Sequence, residues 1–169
     1  MIGKSAKTRC VIIDSEFNPI TAAGYQQIEA KIEALKADRP HKIQSLAAAR
    51  ALGDLSENAE YSSAKRDLRH LESQLRFLNK QLQYARIVTP TDSDTVEIGN
   101  LVTVEFLDDH ETVTYQIVGT QEVDVDQNKL SIASPLGKAV LNHHLGETVT
   151  VHAPAATFAI NIQAVSLPN

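Results

Sequence analysis

The apolar positions of this chain keep two rhythms, and the change falls near Val88. Tyr25, Ile28, Ile32 and Leu35 follow a 3-4-3 spacing, the period of one helix face. Thr21, in "ITAAGY", stands where a hydroxyl accepts an orphan amide at a helix start. "DRPHK" interrupts the pattern because Pro40 lacks a backbone donor. Ile43, Leu46 and Ala49 resume an apolar face, so a kink is expected there and not a stop.

A second helix is predicted from two seven-residue series, Tyr61, Leu68, Leu75, Leu82 and Ala64, Leu71, Leu78, Ala85. Together they form an a/d seam of about 25 residues. Only "LGDLS" and its neighbours separate the two helices, and a short connection makes them antiparallel. About 30 residues at 1.5 Å each make a rod of about 45 Å. Beyond Val88, "TPTDSDTVEIGN" reads as a linker. The β-like runs "LVTVEF", "TVTYQIV", "KLSI", "ETVTVH" and "TFAINIQAV" follow, with one helical stretch from Pro135 to Asn142 and a hairpin turn at Asp108 and Asp109. The expected class is α+β. Residues 1–18 are an extension without an assigned role, 19–88 an antiparallel coiled-coil hairpin, and 89–169 a small sheet-and-helix domain.

Charge sharpens this division. Residues 1–88 carry 14 Lys/Arg against 10 Asp/Glu, whereas 89–169 carry 2 against 11. A basic half suits nucleic acid and an acidic half suits a basic protein surface; two solvated surfaces of different composition remain the plainer alternative. The single cysteine, Cys10, excludes an intrachain disulfide and fits a reducing compartment. The apolar run Cys10–Ile13 is too short for a signal-peptide core, and no stretch reaches a membrane span. A cytoplasmic location is expected.

The candidate chemistry sits at the rod's tip, "GDLSENAEY". Asp54 and Glu57 read first as a capping box, at N-cap and N3 of the second helix. They read second as a carboxylate pair. Without histidine or cysteine they hold no metal tightly alone, but they can complete a Mg²⁺ shell whose remaining ligands come from a host. Asn58 and Tyr61 read as hairpin closure or as contacts to a partner. His143, His144 and His152 lack a structural-zinc pattern and read as surface residues.

These residues also carry a family resemblance. "ARALGDLSENAEYSSAK" resembles the coiled-coil tip of bacterial Gre factors, the transcript-cleavage factors of RNA polymerase. "ITAAGYQQIEAKIEAL", "DRPHKI" and "LQYARIV" resemble the family's helices, and "YQIVG", "LSIASPLGKAVL" and "LGETVTVHAP" its C-terminal domain, colinear from about residue 20 to 166. The resemblance implies an FKBP-like C-terminal domain docked at the rim of the polymerase secondary channel, with the coiled coil inside the channel. It implies that Asp54 and Glu57 help bind the polymerase's second catalytic Mg²⁺ and position water, so that the polymerase cuts the backtracked RNA 3′ end. The chain would have no enzymatic activity and no cofactor of its own. Lys65, Arg66, Arg69 and Arg76 become candidate contacts to the nascent RNA, against a reading as a solvated flank balanced by Asp67 and Glu72. Ser134 and Pro135, in "ASPLG", become candidate polymerase contacts beside their ordinary role as N-cap and N1. Two departures are "HAPAATF", which lacks the family's usual glycine after the proline, and Asn100, where the family usually has an acid.

An inhibitor of the same architecture in the same channel is the alternative function. A prolyl isomerase is disfavoured, because the last 80 residues offer only Phe106, Tyr115 and Phe158 as aromatic lining and no tryptophan. A coiled-coil dimer is unnecessary when the partner helix is internal, so a monomer is expected.

Overall fold

The computed structural model describes residues 17–53 and 58–168. Its chain order is β1 (Asn18–Ile20), α1 (Ala22–Ala51), α2 (Ala59–Gln83), β2 (Ala85–Ile87), β3 (Leu101–Phe106), β4 (Thr112–Val118), β5 (Lys129–Ser131), α3 (Pro135–Val140), β6 (Thr148–His152) and β7 (Thr157–Ser166). This is the expected α+β architecture, a helical hairpin followed by a sheet.

The helices are antiparallel. Cross-hairpin partners run Arg39 to Glu72, Lys42 to Asp67 and Ala49 to Asn58, the second falling as the first rises. On α2 the seam is visible in burial: Tyr61, Ala64, Leu68, Leu71, Leu75, Leu78 and Leu82 are covered while nearly all intervening positions are exposed. Most are only half-buried, since a two-helix hairpin covers each seam residue from one side. At the end away from the tip the α1 side is more fully covered. Ile20, Ile28 and Ile32 form a buried cluster with Tyr25, Leu75, Leu78, Leu82 and Ala85 packed on it.

On α1 the seam departs from expectation. The helix runs through Pro40 without stopping. Ile43, however, is exposed, and the covered face continues through Lys42, Ser45, Leu46 and Ala49. The alternating four- and three-residue steps that pass through Ile28, Ile32 and Leu35 lead to Arg39 and Lys42, not to Ile43. Charged residues thus occupy two seam positions and pair with acids on α2.

The far end of α2 also differs from the sequence reading. The helix ends at Gln83, and Ala85, expected as the last seam residue, lies in β2. β2 pairs in parallel with β1, Ile20 opposite Ile87. This short two-stranded sheet ties the start of the hairpin to its end.

The larger sheet has order β5-β4-β3-β7-β6, antiparallel except for the β4–β5 pair. Alternation explains its core. Val102 and Val104 of β3, Val149 and Val151 of β6, and Ile160 and Ile162 of β7 point inward and are buried, with Ile117 of β4 and Val140 of α3. The presumed linker is part of this core. Val96 and Ile98 are buried, and Thr95 bridges to His144. Asn100 is buried too, its Oδ1 accepting from the Glu97 amide at 2.7 Å and its Nδ2 donating to the Ser166 carbonyl at 3.4 Å. An acid there would keep the acceptor and lose the donor, so the asparagine ties the turn into β3 to the end of β7.

Candidate functional site

The tip is built from helix-terminus chemistry. α1 ends on Leu52 as C-cap, and Gly53 follows at φ +85°, the left-handed conformation that glycine adopts without strain. The amides of Leu52 and Gly53 donate to the carbonyls of Ala49 and Arg50 at 3.4 and 3.5 Å. On the other side Asn58, not Asp54, is the N-cap of α2. Its Oδ1 accepts from the Tyr61 amide at 3.0 Å, while its Nδ2 donates to the Ala49 carbonyl at 3.0 Å. One side chain therefore caps α2 and fastens it to the end of α1. This corrects the capping box expected of Asp54 and Glu57: α2 begins at Ala59, so its N-cap is Asn58 and its N3 is Tyr61. Asp54 and Glu57 themselves fall within 54–57, outside the described residues. Asn58 and Tyr61 take the hairpin-closing roles, and the Lys65 ammonium stands 5.6 Å from the centroid of the Tyr61 ring.

Behind the tip, Lys65, Arg66, Arg69 and Arg76 are all exposed along α2. Arg69 and Arg76, two helical turns apart, share a face. The acids expected to balance this strip are engaged elsewhere. Glu72 accepts from Arg39 at 3.0 Å and Asp67 from Lys42 at 3.4 Å, both across the hairpin.

In the sheet domain, Ser134 caps α3 with Pro135 in its first turn, as its sequence predicts. The Ser134 hydroxyl accepts from the Gly137 amide at 2.9 Å and donates to the Ser131 carbonyl at 2.7 Å. With its hydroxyl engaged inside the loop, Ser134 shapes the surface, whereas Pro135 is exposed on it. His143 and His144 flank Glu147, and the hydrogen bond from His143, then that from the His144 amide, holds the Glu147 carboxyl below its usual range. His152 lies apart on β6, its Nδ1 3.4 Å from the Thr157 hydroxyl. No helix among the described residues is long and apolar enough to cross a membrane.

Two features escaped sequence reasoning. One is the N-cap role of Asn58, read from the sequence only as hairpin closure, which an asparagine directly before "AEY" could have signalled. The other is Glu122, buried between the hairpin and the sheet domain, for which no local pattern exists because its partner, Thr21, is 101 positions away.

Residues 18–87 match the family model for the N-terminal region of transcription elongation factors, and residues 90–167 match the GreA/GreB C-terminal model. The transcription elongation factor GreA 1 of Lactiplantibacillus plantarum is 58% identical over 153 residues, covering 90% of this chain and 98% of the relative. GreA of Thermodesulfovibrio yellowstonii is 38% identical, covering 88% and 96%. Among solved structures, the GreA factor homolog 1 protein of Thermus thermophilus aligns with 88% of this chain and 98% of its own at 23% identity and a TM-score of 0.42. Two family models that together span nearly all of the described residues, and relatives matched almost end to end, place the chain in the GreA/GreB family of transcription elongation factors.

Proposed function

We propose that this chain inserts its helical hairpin into the secondary channel of bacterial RNA polymerase and stimulates cleavage of backtracked nascent RNA. The observation that carries the reading is where the acids fall. In the sequence, Asp54 and Glu57 fall between Ala51, the last residue of α1, and Ala59, the first of α2, in the short connection of two long antiparallel helices. A rod of about 45 Å is long enough to deliver a tip into a deep channel while the sheet domain stays outside.

Each part then has a task. The carboxylates of Asp54 and Glu57 offer the hard oxygen donors that Mg²⁺ prefers, and one of them can accept a proton from the attacking water. A second Mg²⁺, shared with the polymerase, stabilises the charge that develops on the scissile phosphodiester. Lys65, Arg66, Arg69 and Arg76 offer cations to the phosphates of the extruded RNA 3′ segment, without reading its sequence. The loop headed by Ser134 and Pro135 docks at the channel rim. The polymerase remains the catalyst and the chain acts as a monomeric factor in the cytoplasm, where the polymerase works.

An inhibitor of the same shape would fill the channel without supplying the acids, and this tip keeps both. The test is to add the purified chain to a stalled, backtracked elongation complex. Release of short 3′ RNA fragments and resumed elongation supports the proposal; slowed elongation without fragments supports the inhibitor.

A further inference from the structure

A capping box normally lies within one helix turn: the N-cap hydroxyl serves the N3 amide, and a Glu or Gln at N3 reaches back to the N-cap amide. In α1 the first half is present, the Thr21 hydroxyl accepting from the Gly24 amide at 3.1 Å. The second half cannot be local, because N3 is Gly24, which has no side chain. Glu122 supplies it from the β4–β5 loop. Its Oε2 accepts from the Thr21 amide at 2.9 Å and from the Gly119 amide at 3.2 Å, and its Oε1 accepts from the Thr21 hydroxyl. Thr21 and Glu122 are both buried. The carboxylate also faces the N-terminus of a 30-residue helix, where negative charge is favoured.

Two glycines make room for this contact. A Cβ on Gly24 would lie 2.0 Å from Glu122 Oε1, and one on Gly119 would lie 2.2 Å from the Pro19 carbonyl oxygen. Glycine at N3 is a poor helix former; its presence follows from the need to admit a carboxylate. Gln81 of α2 adds a second link, its Nε2 donating to Gln121 Oε1 at 2.5 Å.

We propose that Glu122 is a positioning residue: it completes the α1 cap across the junction and fixes the angle at which the hairpin leaves the sheet domain. Building on the function proposed above, it sets where the tip acids arrive once the sheet domain has docked, while touching neither RNA nor metal.

The test uses the full chain with Cys10 replaced by Ser and spin labels at Lys31→Cys and Thr150→Cys, both exposed positions. The parent is expected to give one narrow distance distribution and Glu122→Ala a broad one. At saturating factor the cleavage rate of Glu122→Ala should fall about tenfold, a modest loss for misplaced chemistry, while the half-saturating concentration stays within about twofold, since Glu122 faces the hairpin and is not part of the docking loop headed by Ser134 and Pro135. Glu122→Gln, whose amide oxygen still accepts from Thr21, should lie between. Gly24→Ala should broaden the distances in the parent background and add nothing in the Glu122→Ala background, where its clash is gone. A narrow distribution in Glu122→Ala, or a broad one with the parent's maximal rate, overturns the proposal. If the parent stimulates no cleavage at all, the functional reading fails, and the distance distributions alone decide whether Glu122 fixes the angle.

Discussion

Replacing Asn58 separates its two tasks at the tip. Asn58→Ala removes both the cap on the Tyr61 amide and the bond to the Ala49 carbonyl. Loss of an N-cap costs about 1 kcal/mol, and loss of one ordinary hydrogen bond about another 1 kcal/mol. Asn58→Ser keeps the cap, serine being nearly as good there, but its shorter side chain cannot reach Ala49; its cost is about half. The loss is local, because the buried Ile20, Ile28 and Ile32 cluster lies at the far end of the hairpin. The suitable assay is amide hydrogen exchange at Tyr61 and Ser62, the first residues whose amides bond back to Asn58. At about 1.4 kcal/mol per tenfold change, protection should fall about thirtyfold in Asn58→Ala and about fivefold in Asn58→Ser. Parent-like protection in Asn58→Ala would refute the cap assignment, and equal protection in the parent and Asn58→Ser would show that the tie to Ala49 contributes nothing.

Three further outcomes follow from the same geometry. Gly53→Ala forces a Cβ into the left-handed region, where it crowds its own backbone although no other described residue comes within 4 Å, so it should cost about 1–2 kcal/mol at the tip, read as faster exchange of the Leu52 and Gly53-position amides. Arg69→Ala combined with Arg76→Ala should weaken release of long RNA fragments more than short ones, and the deficit should shrink at high salt; equal loss for both lengths would return the strip to a solvated flank. The Glu147 carboxyl, held down first by its hydrogen bond from His143, should titrate by NMR below its ordinary 4.5 and move back towards it in His143→Ala. Because its folded-state pKa is depressed, its contribution is present above 4.5 and is lost as pH falls through the lowered value, so His143→Ala should flatten that part of the acid-stability profile.

Strong local periodicity made the hairpin readable. The α2 seam repeats without interruption, so its burial follows from spacing alone. On α1 the period passes through Arg39 and Lys42, and looking for apolar residues led to Ile43, one place off the face. The β-runs were readable because each alternates towards one core. What escaped were features made by distant pairs. β1 and β2 are three residues each, too short to carry a pattern, and exist because they pair with each other across the whole hairpin. Val96 and Ile98 sit among Thr, Asp and Gly, a linker-like composition, yet are pulled into the core by the sheet they precede. Glu122 looked like one more acid in an acidic half. At the tip, "DLSEN" offers three acceptable caps, Asp54, Ser56 and Asn58, and α2 begins directly after the last of them.

The central claim is that Asp54 and Glu57 act in RNA cleavage and not in holding the hairpin, a separation made cleaner by the cap residing on Asn58. The most direct measurement compares the parent, Asp54→Ala and Glu57→Ala on a stalled, backtracked polymerase complex, scoring cleavage at saturating factor alongside competition binding. Each variant is expected to lose stimulated cleavage while competing for polymerase like the parent. Parent-level cleavage by both variants would contradict the account.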